Sequence, residues 1–402
     1  MTQKIKLGTG EYIEAAPYRT SSDAFGRLRS ANPETLFDSK FVYDKMPSLW
    51  DEKIHGAGTS TYDQSNACIN MTVSGSSQSV TRQTKSYFNY RTGKSQLFVF
   101  TGILGSAVSN LTRRIGAFDS NNGLFFELQD STLSVVVRKN GTDTKISQSS
   151  WNIDKLDGTS DSRITLDLSR VQIFVIDYQW LGAGQVRFGF YIDDRLHYCH
   201  AKYHANRSTS VYTSNPNYPI RYEISSTGGS GTLVQICSSA MSEGSADRFY
   251  MYSDSTTNAV NCNTVGQPYA VLGLRLKSDR LTSSARIYNV AVLSLTNDSF
   301  KWSLCLNPSV SGVITYTDAS GSSVEVGRTN GGNPSTEIVY NYGIKLMEGY
   351  GSIDSQSSNI EIDNFYKLGC DISGIRDTIF LVVTPYSANA DIHGAITWKE
   401  LV

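Results

Sequence analysis

The chain has 402 residues, enough for one large or two medium hydrophobic cores, since a single core stops growing near roughly 250 to 300 residues. Only 18% of the residues are charged and the formal net charge is -1, so the surface is largely Ser, Thr, Asn, Gln and Gly and lacks the footprint of a polyanion binder. The 23 tyrosines suit half-buried strands and equally suit broad contact with protein or glycan.

The opening MTQKIKLGTG has no apolar run and does not read as a signal peptide. No later stretch reaches the roughly 18 apolar residues of a membrane span, because even SRVQIFVIDYQW is interrupted by Gln172 and Asp177. Residues 1–60 read as an extended N-terminal arm, centred on the polar, aromatic-studded segment Tyr18 to Asp44. In an extended chain Phe25, Arg27 and Arg29 share one side with Leu28 opposite, and two guanidiniums on one side suit a bidentate clasp on a neighbour's carboxylates. The following NPETLFDSKF predicts a short helix capped by Asn32 with Pro33 at its first position, leaving Leu36, Phe37 and Phe41 as an apolar anchor. These residues are expected to contact another subunit; the competing reading docks the segment on its own domain.

Next come short runs rich in Val, Ile, Tyr and Phe, separated by Gly, Asn, Asp and Ser: SQLFVFTGIL, NGLFFELQD, TLSVVVRK, RITLDLS, VQIFVIDYQ, GQVRFGFYID, PIRYEIS, GTLVQICSS, ARIYNVAVLSL, TEIVYNYGIKLM and TIFLVVTP. That alternation predicts an all-β fold, an antiparallel sandwich of jelly-roll-like strand density, with few and short helices. KNGT at Lys139 to Thr142 and IDDR at Ile192 to Arg195 read as hairpin turns. Val186, Phe188 and Phe190 are expected on the core face of one strand, with Arg187, Gly189 and Tyr191 opposite. The boundaries read as a large sandwich over residues 61–295 and a small C-terminal β domain over residues 296–402, which has room for strands added to a neighbour.

Chemistry leaves little trace. HYCHAKYH places His197, Cys199, His200 and His204 close together, yet on a strand His200 opposes the other two, so a metal site needs a bulge there and ordinary hydrogen-bonded histidines are expected. No GxSxG, HExxH or P-loop is present. Glu127 and Asp130, three apart at a strand end, read as a solvated rim rather than a hydrolytic pair. The cysteines at 68, 199, 237, 262, 305 and 370 are scattered without CxxC spacing and read as reduced, partly buried side chains. No catalytic residue, metal ligand or cofactor is expected.

Three blocks carry a resemblance to a family: SSDAFGRLRSANPETLFDSKF from Ser21, GQVRFGFYIDDRLHYCHAKYHAN with NPNYPIRYEIS up to Ser225, and GIRDTIFLVVTPYSANADIHGAITWKEL from Gly374. They resemble virion structural proteins of tailed bacteriophages. The resemblance implies a non-enzymatic particle component, made in the host cytoplasm, whose partners are copies of itself and other virion proteins; a mostly neutral, aromatic, two-part chain with an arm suits packing between unlike proteins, which puts tail or neck placement slightly ahead of the head surface. Alternatives are a capsid decoration or cement protein, and a compact module for a host-surface glycan or receptor. For that last reading, loops such as Ser208 to Asn217 are expected to present rings and hydroxyls to sugar.

Overall fold

The computed structural model describes residues 33–244, 249–296, 299–329, 335–352, 366–386 and 390–401, plus three short strands by their backbone alone. The fold is all-β and antiparallel, and the chain divides into an N-terminal unit (residues 1–84 and 88–246) and a C-terminal unit (residues 85–87 and 247–402). Among the described residues the only helical element is a single 3-10 turn, Gln148–Ser150.

In the N-terminal unit the strands begin with β1 (Gln3–Lys6) and β2 (Tyr12–Ala15), paired as a hairpin of their own. Then follow β3 (Pro33–Lys40), β4 (Trp50–His55), β5 (Thr59–Asp63), β6 (Cys68–Val73), β7 (Gln78–Thr84) and β8 (Gln96–Ile103). The series continues with β9 (Leu111–Phe118), β10 (Gly123–Gln129), β11 (Thr132–Lys139), β12 (Thr142–Ser147) and β13 (Gln172–Tyr178). It ends with β14 (Val186–Ile192), β15 (Arg195–Lys202), β16 (Ile220–Ser226) and β17 (Gly231–Glu243). One sheet runs β12-β11-β10-β9-β16-β7-β4 and its partner runs β15-β14-β13-β8-β17-β6-β5. The 13-residue β17 is long enough to carry β6 along its first part and β3 along its second.

The two sheets enclose a core of alternate side chains, as period-2 strands require. Val186, Phe188 and Phe190 are buried in it, while Tyr191 on the opposite face is exposed. Arg187 also leaves the core face but stays buried, where it pairs with Asp177 and lies 4.4 Å over the Tyr198 ring. Both expected turns close hairpins: Asn140 and Gly141, and likewise Asp193 and Asp194, adopt the positive φ that a two-residue loop needs.

Two expectations in this half fail. Pro33–Lys40 is a strand paired with β17, because Glu243, Ser242 and Met241 offer an open ladder edge to Pro33, Glu34 and Thr35; Pro at a strand's first residue costs no ladder bond. The sandwich therefore begins by Pro33 and not near residue 61. RITLDLS forms a single bridge, Asp157 with Thr165, and its Ile164, Leu166 and Leu168 alternate because they drape a loop over the core.

The C-terminal unit starts earlier than the expected residue 296. Its strands are β18 (Phe249–Ser255), β19 (Val260–Cys262), β20 (Tyr269–Leu276), β21 (Ala285–Ser294), β22 (Phe300–Leu306), β23 (Ser309–Val310) and β24 (Ile314–Asp318). They continue with β25 (Val324–Thr329), β26 (Val339–Asn341), β27 (Ile344–Gly351), β28 (Ile360–Glu361), β29 (Thr378–Pro385) and β30 (Ala390–Leu401). One sheet runs β18-β30-β21-β28, with β19 also on β30, and the other β24-β25-β20-β29-β22-β27. The boundary falls at 247 because β18, β19, β20 and β21 hydrogen-bond to the C-terminal β29 and β30. This unit has its own core, including Trp302, Trp398, Leu274 and Leu381. A smaller cluster of Phe380, Val382, Cys305 and Val339 covers the outer side of the six-stranded sheet. None of the six cysteines forms a disulfide, and five of them are buried.

Candidate binding surface

Of the expected contact residues, Phe25, Arg27 and Arg29 lie outside the described residues. Leu36, Phe37 and Phe41 are committed to their own unit. Phe37 sits 5.2 Å from Phe88 and 6.0 Å from Trp50, ring centre to ring centre, and the buried Phe41 lies 6.0 Å from Trp50. The Arg82 guanidinium covers Phe41 at 5.4 Å while it pairs with Glu52 and donates to Gln235. Phe41 is buried there while Leu36 and Phe37 are half-buried against the same core, the docking that the competing reading expects.

The HYCHAKYH cluster disperses. A bulge does occur there, with the β14 to β15 register shifting between Phe188 and Gly189. It turns Cys199 into the core, where the thiol donates to the Phe188 carbonyl and burial pushes its pKa well up. His204 meets the Ser210 carbonyl, His197 stays partly exposed, and burial with nearby Lys202 pushes His200 down to about 4. Among the described residues no group of three or more His, Cys, Asp or Glu is arranged to hold a metal ion.

The outer side of the seven-stranded sheet concentrates charge over aromatic rings. Phe118 and Phe125 lie 4.3 Å apart, and the Arg138 guanidinium sits 4.9 Å over Phe125. Arg114 bridges Glu127 (2.7 Å) to Glu223 (2.5 Å), Lys145 also reaches Glu127 (2.6 Å), and Arg138 pairs with Asp143. Glu127 is thus not on a solvated rim: it is 1% exposed, while Asp130 accepts the Asn110 amide in a turn. The charges satisfy one another and leave little to recognise a ligand with. The loop Ser208 to Asn217 likewise turns its ring inward, for Tyr212 is buried and donates to the Gln179 carbonyl.

The C-terminal unit presents a group of exposed rings. Tyr340, Tyr350 and Tyr386 are 74%, 71% and 48% exposed. The Tyr350 and Tyr386 rings are nearly parallel, 21° between planes, with centroids 6.1 Å apart. Local sequence explains the presentation. On β27, Gly349 and Gly351 face Trp302 and Phe300, where an added Cβ would lie 2.6 and 2.4 Å from those rings, so Glu348 and Tyr350 are left to the outer side. There Lys301 lies between Tyr350 and Thr384 in register, and Tyr386 follows directly from β29.

Beside the rings Glu348 accepts hydrogen bonds from Lys301 (2.7 Å), Lys345 (3.0 Å) and Ser303 (3.1 Å). The bonds from Lys301 and Lys345 hold its carboxyl down at about 2, so it is ionised at any physiological pH. Lys345 also stands 4.2 Å over the Tyr342 ring, whose hydroxyl meets Thr384. The result is a pair of open aromatic faces flanked by oriented donors and acceptors. The negative ring faces suit the weakly positive C–H groups of a pyranose, and the polar groups suit its hydroxyls. Sequence reading passed over this surface because TEIVYNYGIKLM scans as one strand, whereas it forms β26, a turn at Gly343 and the edge strand β27.

No protein-family model matches the chain, and no curated protein matches it. Among solved structures it is similar to a glycosyl hydrolase family 16 protein from Mycobacterium smegmatis, at 10% identity, covering 52% of this chain and 100% of that one with a TM-score of 0.35. It is also similar to the CBM2 module of the evolved Dit of Lactobacillus casei BL23 phage J-1, at 10% identity, covering 54% of this chain and 99% of that one with a TM-score of 0.34. A legume lectin-like domain from Entamoeba histolytica is similar at 11% identity, covering 52% and 98% with a TM-score of 0.32.

Proposed function

We propose that this protein is a non-enzymatic binding component of a tailed-phage particle whose C-terminal unit recognises a cell-surface glycan. The observation that carries the glycan reading is the exposed, near-parallel Tyr350 and Tyr386 pair beside the fixed Lys301, Glu348 and Lys345 group. Exposed rings held against a sandwich lose little entropy on binding, and a carboxylate clamped by two lysines is an oriented acceptor. The phage setting rests on the three sequence blocks, and a glycan reader suits the tail or neck, where a particle meets its cell. The pure assembly reading draws less support from Leu36, Phe37 and Phe41, which pack wholly or in part against their own core. Retention of the purified chain on polysaccharide from susceptible cells tests the proposal: retention abolished in the Tyr350→Ala, Tyr386→Ala double variant supports it, and absence of wild-type retention overturns it.

A further inference from the structure

The C-terminal unit also contains a cavity of about 310 Å³ that the tyrosine pair does not share. Its walls are Thr256, Thr257, Asn258, Thr315, Thr317, Arg328 and Thr329, over the fully buried Val271. The size is at the lower end of small-molecule sites. The sequence alone hides it, because the threonines come from three separate places: the β18 to β19 connection, β24 and the end of β25.

The walls are fixed before any ligand arrives. The Thr256 amide donates to the Gly394 carbonyl, and its hydroxyl accepts from the Gly394 amide (3.2 Å) and meets His393 Nδ1 (3.0 Å). Arg328 donates to Thr317 Oγ1 (2.7 Å), to Asp254 and to the Ser255 carbonyl. Beneath the walls Val271, at a bulge where the β20 register against β29 shifts between Ala270 and Leu272, is packed in the unit's core. The charge on Arg328 is offset by Asp254, so the cavity has no net attraction for an anion. Thr257, Asn258 and Thr329 contribute side-chain hydroxyl and amide groups that no described residue occupies.

We infer that this cavity binds one ring of a neutral, hydroxyl-rich ligand, a single saccharide unit. Threonine hydroxyls interspersed with threonine methyls, together with one amide, match the amphipathic surface of a pyranose, and the neutralised arginine selects against phosphorylated sugars. The ligand class rests on the glycan reading of this unit, but the cavity and the tyrosine pair are separate sets of residues.

The test is methyl NMR on the full chain carrying labelled threonine methyls, titrated with D-glucose, N-acetyl-D-glucosamine and glycerol 3-phosphate. The expected result is saturable millimolar shifts of Thr257, Thr317 and Thr329 with one or both neutral sugars and none with glycerol 3-phosphate. Thr257→Phe, at an exposed position, should abolish them by filling the cavity. Asn258→Ala should weaken them by about tenfold, the value of one lost hydrogen bond of about 1.4 kcal/mol. Tyr350→Ala with Tyr386→Ala should leave them unchanged. Shifts with glycerol 3-phosphate alone, or with none of the three, overturn the inference whether or not the chain is retained on polysaccharide. Sugar-dependent shifts without polysaccharide retention leave the cavity standing and overturn the platform reading.

Discussion

Phe126 of one sheet meets Phe188 of the other edge to face, with ring planes at 89° and centroids 5.5 Å apart. Phe190 lies 5.0 Å from the same ring and Phe174 5.2 Å from it, so four phenylalanines close the centre of the N-terminal sandwich.

Phe188→Ala should therefore cost about 3 to 5 kcal/mol, since the ring is fully buried and its neighbours are held by two sheets that collapse poorly into a void. Denaturant titration reads the loss. A change below about 1 kcal/mol would show that the ring is not in a packed core.

The alternation that located Phe188 is the part of the fold most legible in the sequence. Side chains on a two-sided strand must alternate, and Val186, Phe188 and Phe190 did so against Arg187 and Tyr191. What the pattern missed is non-local. β18 to β21 look like strands of the preceding sandwich, and only their pairing with β29 and β30 assigns them to the second unit. Pro33 after Asn32 resembles a helix start, yet a free ladder edge on β17 overrode that local preference. The tyrosine pair was invisible for the same reason, since Tyr350 and Tyr386 are 36 positions apart and meet through register across β22.

The docked segment gives the second prediction. Phe41→Ala should lower stability by about 3 to 5 kcal/mol through loss of its packing on Trp50 and Arg82. Calorimetry on this variant checks it. A Phe41→Ala protein as stable as the wild type would mean that the segment is not part of the sandwich.

His200 supplies a pH dependence. It is buried, its Nδ1 has no hydrogen-bond partner among the described residues, and desolvation with Lys202 lowers its pKa from 6.5 to about 4. The folded state thus keeps it neutral while the unfolded chain protonates below about 6.5, so its contribution is present above that pH and is lost as pH falls towards about 4. Melting temperatures between pH 7 and pH 4 should fall less for His200→Gln than for the wild type. Parallel curves for the two proteins would refute the assignment.

Gly349 tests the scaffold under the rings. A Cβ there would lie 2.6 Å from the buried Trp302 indole, so Gly349→Ala should displace β27, lower the stability of the C-terminal unit by about 1 to 3 kcal/mol, and weaken glycan binding without touching either tyrosine. Unfolding and binding curves for this variant check both effects. Unaltered stability and binding would show that β27 is not held against Trp302.

The measurement that bears most directly on the central claim is the affinity of the purified chain for polysaccharide from susceptible cells, compared between the wild type and the Tyr350→Ala, Tyr386→Ala double variant. Both rings are exposed, so the variant should melt at the wild-type temperature while its affinity falls about fivefold or more, as expected when about 0.5 to 1.5 kcal/mol is lost at each ring. Equal affinity in the two proteins, or no binding by either, would contradict glycan recognition through this surface.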